Sequence, residues 1–334
     1  MRVTLKDIAT EAGYSISTVS RVLNGSDKIS KQVQKHILKC AEKLNYPINR
    51  SKIPYYSNGN KSITLVTDFR EGEFYSSFFY GYLRAAEDLK VNLSLISVAD
   101  DPDKVYDAIV DQEQHRCNGI ALFIPTLQRN HYSYIIDKLK KSGKTIPIIS
   151  NGLIQNPVIP TITFDGYSGG HIASEHFAKR NYNPVGIIQG PAGKAESSFR
   201  YSGFKDNCQN NNIELSWEEE GDFKFESGYK AFQSFLNCKN KPRAIFISND
   251  LMAKGFCEAA REHNYEIPKD IALLSYDDLP MCQQLKPQLS SINTDFYELG
   301  LNTLKSLNDL ITDKNEYKSS LSFIPVSLSE RDST

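Results

Sequence analysis

Cysteine is scarce in this chain, and long apolar runs are missing. The six cysteines among 334 residues stand singly, at Cys40, Cys117, Cys208, Cys238, Cys257 and Cys282. Their spacing fits neither a zinc site nor a redox pair, so we expect reduced thiols and no metal or other cofactor. No stretch approaches the roughly 20 apolar residues of a membrane span, and the N-terminus lacks the apolar core of an export signal. These absences predict a cytoplasmic protein that does not contact membranes.

Charge is unevenly distributed along the chain. The formal net charge is −1, but residues 1–61 contain eleven Lys/Arg and four Asp/Glu, a balance of +7, which leaves −8 on the remainder. A basic block attached to an acidic body is typical of a nucleic-acid-binding domain joined to a domain with another task. The length suits two or three domains.

Three short helices are predicted within residues 1–46. Thr4 with Asp7 resembles a capping box at the start of the first helix, and Gly13 ends that helix. Ser15 and Ser30 are suitable N-caps for the second and third helices. Two short helices around a turn, completed by a third, predict a helix-turn-helix domain.

The outward face of the second helix carries polar and basic residues suited to DNA. Its members are Ile16, Ser17, Thr18, Ser20 and Arg21. Hydroxyl groups suit phosphate contacts, and an arginine can reach guanine edges or phosphates. A small helical bundle with a solvated polar face is the alternative interpretation, and the local charge excess weighs against it.

Residues 3–30 resemble the opening of the lactose/galactose-repressor family of transcriptional regulators. The matching run is ungapped and reads VTLKDIATEAGYSISTVSRVLNGSDKIS. The resemblance implies double-stranded operator DNA as a partner and base reading by Ile16, Ser17 and Arg21. It also implies phosphate contacts, which would come from Thr4, Ser15, Thr18, Ser20, Asn24 and Ser30.

Residues 47–61 have the composition of a linker and depart from the family pattern. They read PINRSKIPYYSNGNK. In the family this segment folds into a hinge helix on DNA and inserts a leucine into the minor groove, whereas this chain has Tyr55 at that place, after Pro54. Proline breaks a helix interior, so the hinge helix either starts at Ile53 or Pro54 or does not form. Tyr55 then either inserts between base pairs or belongs to a solvated linker, and both interpretations stay open.

Strand-like and helical segments alternate from residue 62 onwards. Strand-like runs are 63–67, 93–98, 120–124, 146–150, 161–164, 185–189, 244–248 and 271–276, and helical stretches include 79–89, 168–179 and 252–263. Alternation of this kind predicts parallel sheets with helices on both faces. The length suits two such lobes, with a ligand in the cleft outside the carboxyl ends of the strands.

Polar side chains follow three of these predicted strands. They are Asp165, the pair Asn249 and Asp250, and the pair Asp277 and Asp278. Carboxylates accept hydrogen bonds from hydroxyl groups, so side chains that converge from three strand ends suit a ligand rich in hydroxyls. The alternative for each of them is a helix N-cap, because Asp and Asn are favoured there.

The family resemblance extends through this body. It rests on the segments FDGYSGG, RYSGF, AIFISNDLMAKG, IPKDIALLSYDD, LSSINTDFYELG and SERDST. It implies a homodimer whose two-lobed body, of the periplasmic-binding-protein type, binds a small effector through polar contacts from Asp165, Arg200, Asn249 and Asp277. Aromatic faces for a ring would come from Phe78, Phe79 and Phe223.

The effector is expected to be a sugar. The segment GDFKFESGYKAF resembles purine-responsive members of the family, but GKAESSF, which precedes Arg200, does not clearly match their purine-contacting arrangement. A purine therefore stays the less favoured alternative.

The predicted division is a helix-turn-helix domain at 1–46, a hinge linker at 47–61 and an effector-binding and dimerisation domain at 62–334. Within that domain the first lobe comprises about 62–163 plus 293–325, and the second comprises about 164–290. An all-α DNA-binding domain is thus followed by an α/β effector-binding domain.

Two other classes of protein fit less well. Residues 166–170 match the G-x-S-x-G motif of serine hydrolases, but no histidine follows His263, which lies in a predicted helix. A solute-binding protein would share the two lobes, but it would need an export signal and no basic helical head. We therefore predict a transcriptional regulator, acting as a repressor, and not an enzyme.

Overall fold

The computed structural model describes residues 3–26, 28–48, 61–115, 117–313 and 319–334. The predictions about Pro54, Tyr55 and the hinge helix fall outside these residues and stay predictions.

The N-terminal region contains helices α1 (Leu5–Ala12), α2 (Ile16–Leu23) and α3 (Lys31–Lys43). Gly13 ends α1 with a φ of +70°, a left-handed conformation that glycine adopts without steric cost. The Ser15 side chain caps α2 by accepting a hydrogen bond from the Thr18 backbone N–H. The three helices bury a shared apolar core, which includes Ile8, Val19, Val22, Ile37 and Ala41. The predicted three-helix domain is confirmed.

The body contains strands and helices in near-regular alternation. The strands are β1 (Ser62–Thr67), β2 (Asn92–Ser97), β3 (Gly119–Phe123), β4 (Ile148–Ser150), β5 (Thr161–Phe164), β6 (Val185–Gln189), β7 (Leu215–Glu220), β8 (Ala244–Ile247), β9 (Ala272–Asp277), β10 (Ser290–Asn293), β11 (Leu321–Ile324) and β12 (Ser327–Ser329). The helices are α4 (Glu73–Leu89), α5 (Pro102–Gln114), α6 (Arg129–Lys141), α7 (Gly166–Lys179), α8 (Ala195–Asn210), α9 (Phe225–Asn237), α10 (Asp250–Glu262), α11 (Met281–Gln284) and α12 (Phe296–Asp313).

These strands form two six-stranded sheets. The first has the order β11-β5-β4-β3-β1-β2 and the second has the order β12-β10-β9-β8-β6-β7. Neighbouring strands run parallel, except that β12 runs antiparallel to β10. Strands covered on both faces read as continuous apolar runs, as β8 does with all of its residues buried. The predicted two-lobed α/β architecture is confirmed.

Four strands escaped prediction because they lack the apolar pattern. β7 reads LSWEEE and buries only Trp217, whereas β10 reads SSIN and buries serine hydroxyls. β11 and β12 are short edge strands. After β11 in the first sheet, the chain crosses to the second sheet, where it forms β12. The predicted lobe ranges end at residue 325 and do not include this last strand. The lobe boundaries themselves stay a prediction.

Candidate DNA-binding and effector-binding sites

Helix α2 separates an apolar inner face from an exposed outer face. Val19 and Val22 point into the three-helix core, whereas Ile16, Ser17 and Arg21 are exposed. Ile16 is an apolar side chain that remains 48% accessible. These three side chains share the face that a recognition helix presents to the major groove.

Two of the hydroxyl residues predicted to contact phosphates, Ser15 and Thr4, make capping contacts at helix N-termini. Ser15 Oγ accepts from the Thr18 backbone N–H at 3.2 Å and lies 2.9 Å from Ser17 Oγ. Thr4 donates through its backbone N–H and its hydroxyl to Asp7 Oδ2, both at 2.7 Å. The other predicted phosphate contacts lie near the ends of α2 and α3 or within α2, at Ser20, Asn24 and Ser30.

The carboxyl edges of the two sheets face each other across a cleft. Lys194 Nζ donates to the carbonyl oxygen of Pro125, and Glu196 Oε1 accepts from the backbone N–H of Leu153 at 2.9 Å. Pro125 and Leu153 follow the carboxyl ends of β3 and β4, whereas Lys194 and Glu196 follow β6. Ligands of parallel α/β folds bind at such edges.

Arg200 and Asp277 form the polar centre of this cleft. Arg200 Nη2 lies 3.7 Å from Asp277 Oδ1, and the two side chains are 12% and 7% exposed. The guanidinium carbon stacks 3.6 Å from the ring centroid of Tyr276, and Nη1 donates to the Ser248 carbonyl. Burial raises the pKa of the Asp277 carboxyl, and the charge of Arg200 opposes that rise. The pair is thus a fixed donor fork beside an acceptor with little access to water.

Phe223 and Asn249 complete the second-lobe side of the cleft. The Phe223 ring lies against Gly190, where a Cβ would come within 2.2 Å of Phe223 Cζ. Asn249 Nδ2 donates to the Phe223 carbonyl at 3.0 Å, while Asn249 Oδ1 caps α10 through Met252 N. The Phe223 ring centroid lies 5.6 Å from the Arg200 guanidinium carbon, so these predicted effector residues are neighbours.

Asp165 lies where β5 ends and acts as the N-cap of α7. Its carboxylate accepts from Ser168 N at 2.9 Å and from Ser168 Oγ at 2.6 Å. Asp165 and Asn249 are therefore both helix N-caps, which was the alternative interpretation of each. Carboxylate and amide oxygens have a second lone pair, so capping still leaves acceptor capacity towards the cleft.

Of the two first-lobe aromatic residues predicted to face the effector, Phe78 is buried in the core and Phe79 is partly buried. Phe78 is 1% exposed and lies in the core between Tyr82 and Phe123, so it offers no free ring face. Phe79 is partly buried and stacks on the exposed Phe69 at 5.3 Å. Helix α4 begins at Glu73 and not at residue 79 as predicted, so its first turn carries Phe74 and Tyr75 next to the end of β1.

Sequence reasoning also missed Asp68, which follows β1 directly. Its carboxylate is bound by Arg70 through Nε at 3.0 Å and Nη2 at 2.6 Å, and the Tyr75 hydroxyl lies 3.5 Å away. Burial raises the pKa of Asp68, and Arg70 opposes the rise. The rule that selected Asp165 would have found Asp68, because it follows the predicted strand 63–67.

Two of the strand-end acids are structural in this arrangement. Asp250 is inaccessible and accepts hydrogen bonds from Ser275 Oγ at 2.5 Å, Ser291 Oγ at 2.8 Å and Leu279 N at 2.7 Å. Asp278 accepts from Ser329 Oγ at 2.6 Å, a contact that holds β12. Neither carboxylate is free for a ligand.

The described part of the chain has no helix long and apolar enough to cross a membrane. Within the same residues, no group of three or more His, Cys, Asp or Glu side chains is placed to hold a metal ion.

Two family profiles match the chain. Residues 4–49 match bacterial regulatory proteins of the lacI family, and residues 174–334 match a periplasmic binding protein-like domain. The HTH-type transcriptional repressor PurR of Haemophilus influenzae (strain PittEE) is 27% identical over 315 residues, 94% of this chain and 92% of the relative. PurR of Mannheimia succiniciproducens is 26% identical and covers 96% of each chain.

Solved structures share the fold over the whole chain. The lac repressor dimer bound to operator and the anti-inducer ONPF has a TM-score of 0.80 at 24% identity and covers 100% of this chain and 99% of its own. The complex of the transcriptional regulator CelR with cellobiose has a TM-score of 0.71 at 22% identity and covers 100% of both chains. The chain thus combines a lacI-family DNA-binding region with a periplasmic binding protein-like domain, and it is a ligand-responsive, DNA-binding transcriptional regulator, not an enzyme.

Proposed function

We propose that the chain is a homodimeric repressor that acts in the cytoplasm and whose hold on a near-palindromic operator is controlled by a sugar bound in the cleft. The observation that carries the effector site is the Arg200–Asp277 pair, 3.7 Å apart and almost enclosed at the facing edges of the two sheets. Residues 1–46 would bind DNA, and residues 62–334 would bind the effector and form the dimer. Residues 47–61 would link these two domains.

In the proposed DNA complex, Ile16, Ser17 and Arg21 face base edges. Their exposure on one side of α2 supports this assignment. Phosphate contacts would come from the polar groups around them, at Thr4, Ser15, Thr18, Ser20, Asn24 and Ser30. Such contacts position a reader and supply much of its affinity.

Two copies are needed for a full operator in this proposal. One helix-turn-helix unit covers a half-site, and a two-fold dimer places two units about one DNA turn apart on a palindromic sequence. A ligand that closes the cleft would rotate the lobes and change the distance between the two helix-turn-helix units of the dimer. Only a difference in ligand affinity between the two states can shift that balance.

A hydroxyl-rich ligand suits the polar groups of the cleft. Asp165, Asp277 and Asn249 supply acceptors, and the Arg200 guanidinium supplies donors in a planar fork. The Phe223 ring supplies an apolar face against which a sugar ring can lie. A purine could also stack on Phe223, so it is the competing ligand class in the experiment below.

The DNA half of the proposal is tested by selection. Wild-type protein is used to select binding sites from duplexes with a randomised centre, and the dimer is measured by sedimentation. We expect a two-fold symmetric consensus and a dimer that binds it. Recovery of no consensus sequence would contradict the proposed function.

The effector half is tested by thermal shift with single sugars (glucose, galactose, ribose, cellobiose) and single purines (adenine, guanine, hypoxanthine). A ligand of the native state raises the melting temperature. We expect a sugar to do so, Arg200→Ala to remove the shift, and the exposed-site control Arg261→Ala to keep it. A shift caused only by purines would replace the sugar with a purine, and a shift that survives Arg200→Ala would disprove the assigned site.

A further inference from the structure

Lys61 binds the far end of helix α12 with all three of its ammonium donors. Lys61 Nζ donates to Asn308 O at 3.1 Å, Asn308 Oδ1 at 2.6 Å and Thr312 Oγ1 at 3.0 Å. A cation near the C-terminal end of a helix also interacts favourably with the helix dipole. The backbone carbonyl of Lys61 accepts from Asn92 N at 2.9 Å, so the residue is fixed to β2 as well. Only residues 49–60 lie between Lys61 and the last described residue of the DNA-binding domain, Ile48.

The other end of α12 lies at the cleft. Phe296, its first residue, packs edge-to-face against Phe74 at 5.4 Å and against Phe164 at 5.6 Å. Phe74 is in the first turn of α4, and Phe164 is the last residue of β5, one position before Asp165. Side chains at the edge of the cleft therefore touch the start of α12.

Helix α12 is packed too closely on the first lobe to move independently of it. A Cβ on Gly81 would come within 2.4 Å of the Phe296 carbonyl carbon, and a Cβ on Gly300 within 3.0 Å of Tyr82 Cα. Asn151 Nδ2 donates to Thr303 Oγ1 at 2.9 Å in the middle of the helix. Close-packed elements of this kind transmit displacement rather than absorb it. The 18 residues of α12 span about 27 Å at 1.5 Å per residue.

We propose that Lys61 is the positioning residue through which α12 communicates the state of the cleft to the DNA-binding domain. The inference rests on the proposed function, because it presumes that the cleft controls operator binding. Lys61 touches neither DNA nor ligand in this account. It fixes the start of the body relative to one end of a rigid helix, and the other end of that helix senses the cleft.

A different result is expected if the Lys61 contacts only stabilise the fold. Their loss would then lower stability and leave communication between cleft and operator intact. Loss of a coupling residue would leave the fold and the cleft intact and would reduce the effect of one site on the other. The test therefore measures coupling, with melting temperature as a separate readout.

The experiment is a double-mutant cycle on full-length protein, with the selected duplex as probe, so that no ligand is needed. Arg200→Ala perturbs the cleft. Lys61→Met perturbs the anchor, which is the contact of the Lys61 ammonium with α12, and keeps most of the aliphatic side chain. Lys305→Met is the matched control, because Lys305 is an exposed lysine on the same helix. Asn308→Ala, at an exposed position, is a second anchor variant that removes one acceptor.

We expect Arg200→Ala to change the operator Kd by about fivefold or more in the wild-type and Lys305→Met backgrounds, within the usual range of such coupling. In the Lys61→Met background the change should fall to about twofold or less, with Asn308→Ala intermediate. An equal effect in all backgrounds would overturn the role of Lys61 and leave the proposed function standing. If Arg200→Ala does not affect the Kd of the otherwise unaltered protein, the ligand-free cleft does not act on operator binding and the inference is overturned, whereas the thermal-shift test of the proposed function is unaffected.

Discussion

Asn249 holds Phe223 in a backbone conformation that an aromatic residue rarely adopts. Phe223 has a φ of +66°, and Asn249 Nδ2 donates to its carbonyl oxygen at 3.0 Å. A residue in this region costs on the order of 1–3 kcal/mol and persists where its surroundings enforce it. Such strain concentrates at ligand sites, and here it places the Phe223 ring beside Arg200.

The two functions of Asn249 can be separated by substitution. Asn249→Asp keeps an oxygen to cap α10 but loses the N–H that binds Phe223, whereas Asn249→Ala loses both. We expect Asn249→Ala to lower the melting temperature by a few degrees, because an N-cap contributes about 1 kcal/mol. Both variants should lose most of the ligand-induced thermal shift, since Phe223 is no longer held.

The control is Asn237→Ala. Asn237 is exposed near the end of α9, and its amide donates only to a carbonyl of its own helix. Its ligand-induced shift should match the wild type. A full shift in Asn249→Asp would show that the Phe223 contact is irrelevant to ligand binding.

Arginine should not be replaceable by lysine at position 200. The guanidinium stacks on Tyr276, donates to Ser248 O and lies beside Asp277 at once, and an ammonium lacks the plane and the fork. We expect Arg200→Lys to weaken effector binding by about tenfold or more, the equivalent of one or two charge-assisted hydrogen bonds. Isothermal calorimetry with the sugar found by thermal shift measures this.

Arg261→Lys is the comparison for that substitution. Arg261 is exposed and pairs with Glu258 at 2.5 Å, where a lysine serves equally well. Equal affinities of the two lysine variants would mean that Arg200 acts only as a charge.

The DNA-binding domain offers a test of base reading. Arg21→Ala should weaken binding to the selected duplex by about 1–3 kcal/mol if the side chain reads a base edge, and much less on random duplex. Lys39→Ala removes a positive charge from the exposed side of α3 and should act alike on both duplexes. Fluorescence anisotropy at fixed salt gives both Kd values. An equal loss on both duplexes for Arg21→Ala would reduce it to a phosphate contact.

The sequence predicted those parts of the molecule whose signals are local. The caps at Thr4 and Ser15 and the apolar faces of α1 to α3 depend on neighbours within four residues. The body strands with continuous apolar runs were found for the same reason. β10 was not, because its buried serines are satisfied by distant groups: Ser290 N donates to Ser333 Oγ and Ser291 Oγ to Asp250.

The candidate site shows the same limit. Asp165, Asn249 and Asp277 were selected by their place after strands, which is readable from the sequence. The burial of Phe78 was not readable from the sequence, because it depends on the packing of Tyr82 and Phe123 against its ring. The hydrogen bond from Asn249 to Phe223 joins residues 26 positions apart, so no local sequence pattern predicts it.

The buried side chain of His176 should make the free energy of unfolding depend on pH. Its side chain is 6% exposed, and Nε2 lies 2.9 Å from Thr334 Oγ1. Burial lowers the pKa of His176 below its ordinary value, with Glu330 opposing and Arg180 and Lys179 assisting the decrease. The folded protein therefore favours the neutral ring. Below about pH 6.5 the unfolded chain binds more protons at this residue, so stability must fall as pH decreases through that value.

We expect His176→Gln to reduce this loss of stability between about pH 7 and pH 5, because glutamine can still hydrogen-bond but does not titrate there. The loss in the wild type amounts to about 1.4 kcal/mol for each unit of pKa difference between the folded and unfolded states. Urea unfolding at several pH values measures it, and His171→Gln, which leaves His176 in place, should keep the wild-type dependence. Buried acids such as Asp250 are present in every variant, so their opposite contribution cancels in the comparison. A pH dependence of His176→Gln equal to that of the wild type would show that the buried ring does not control acid stability.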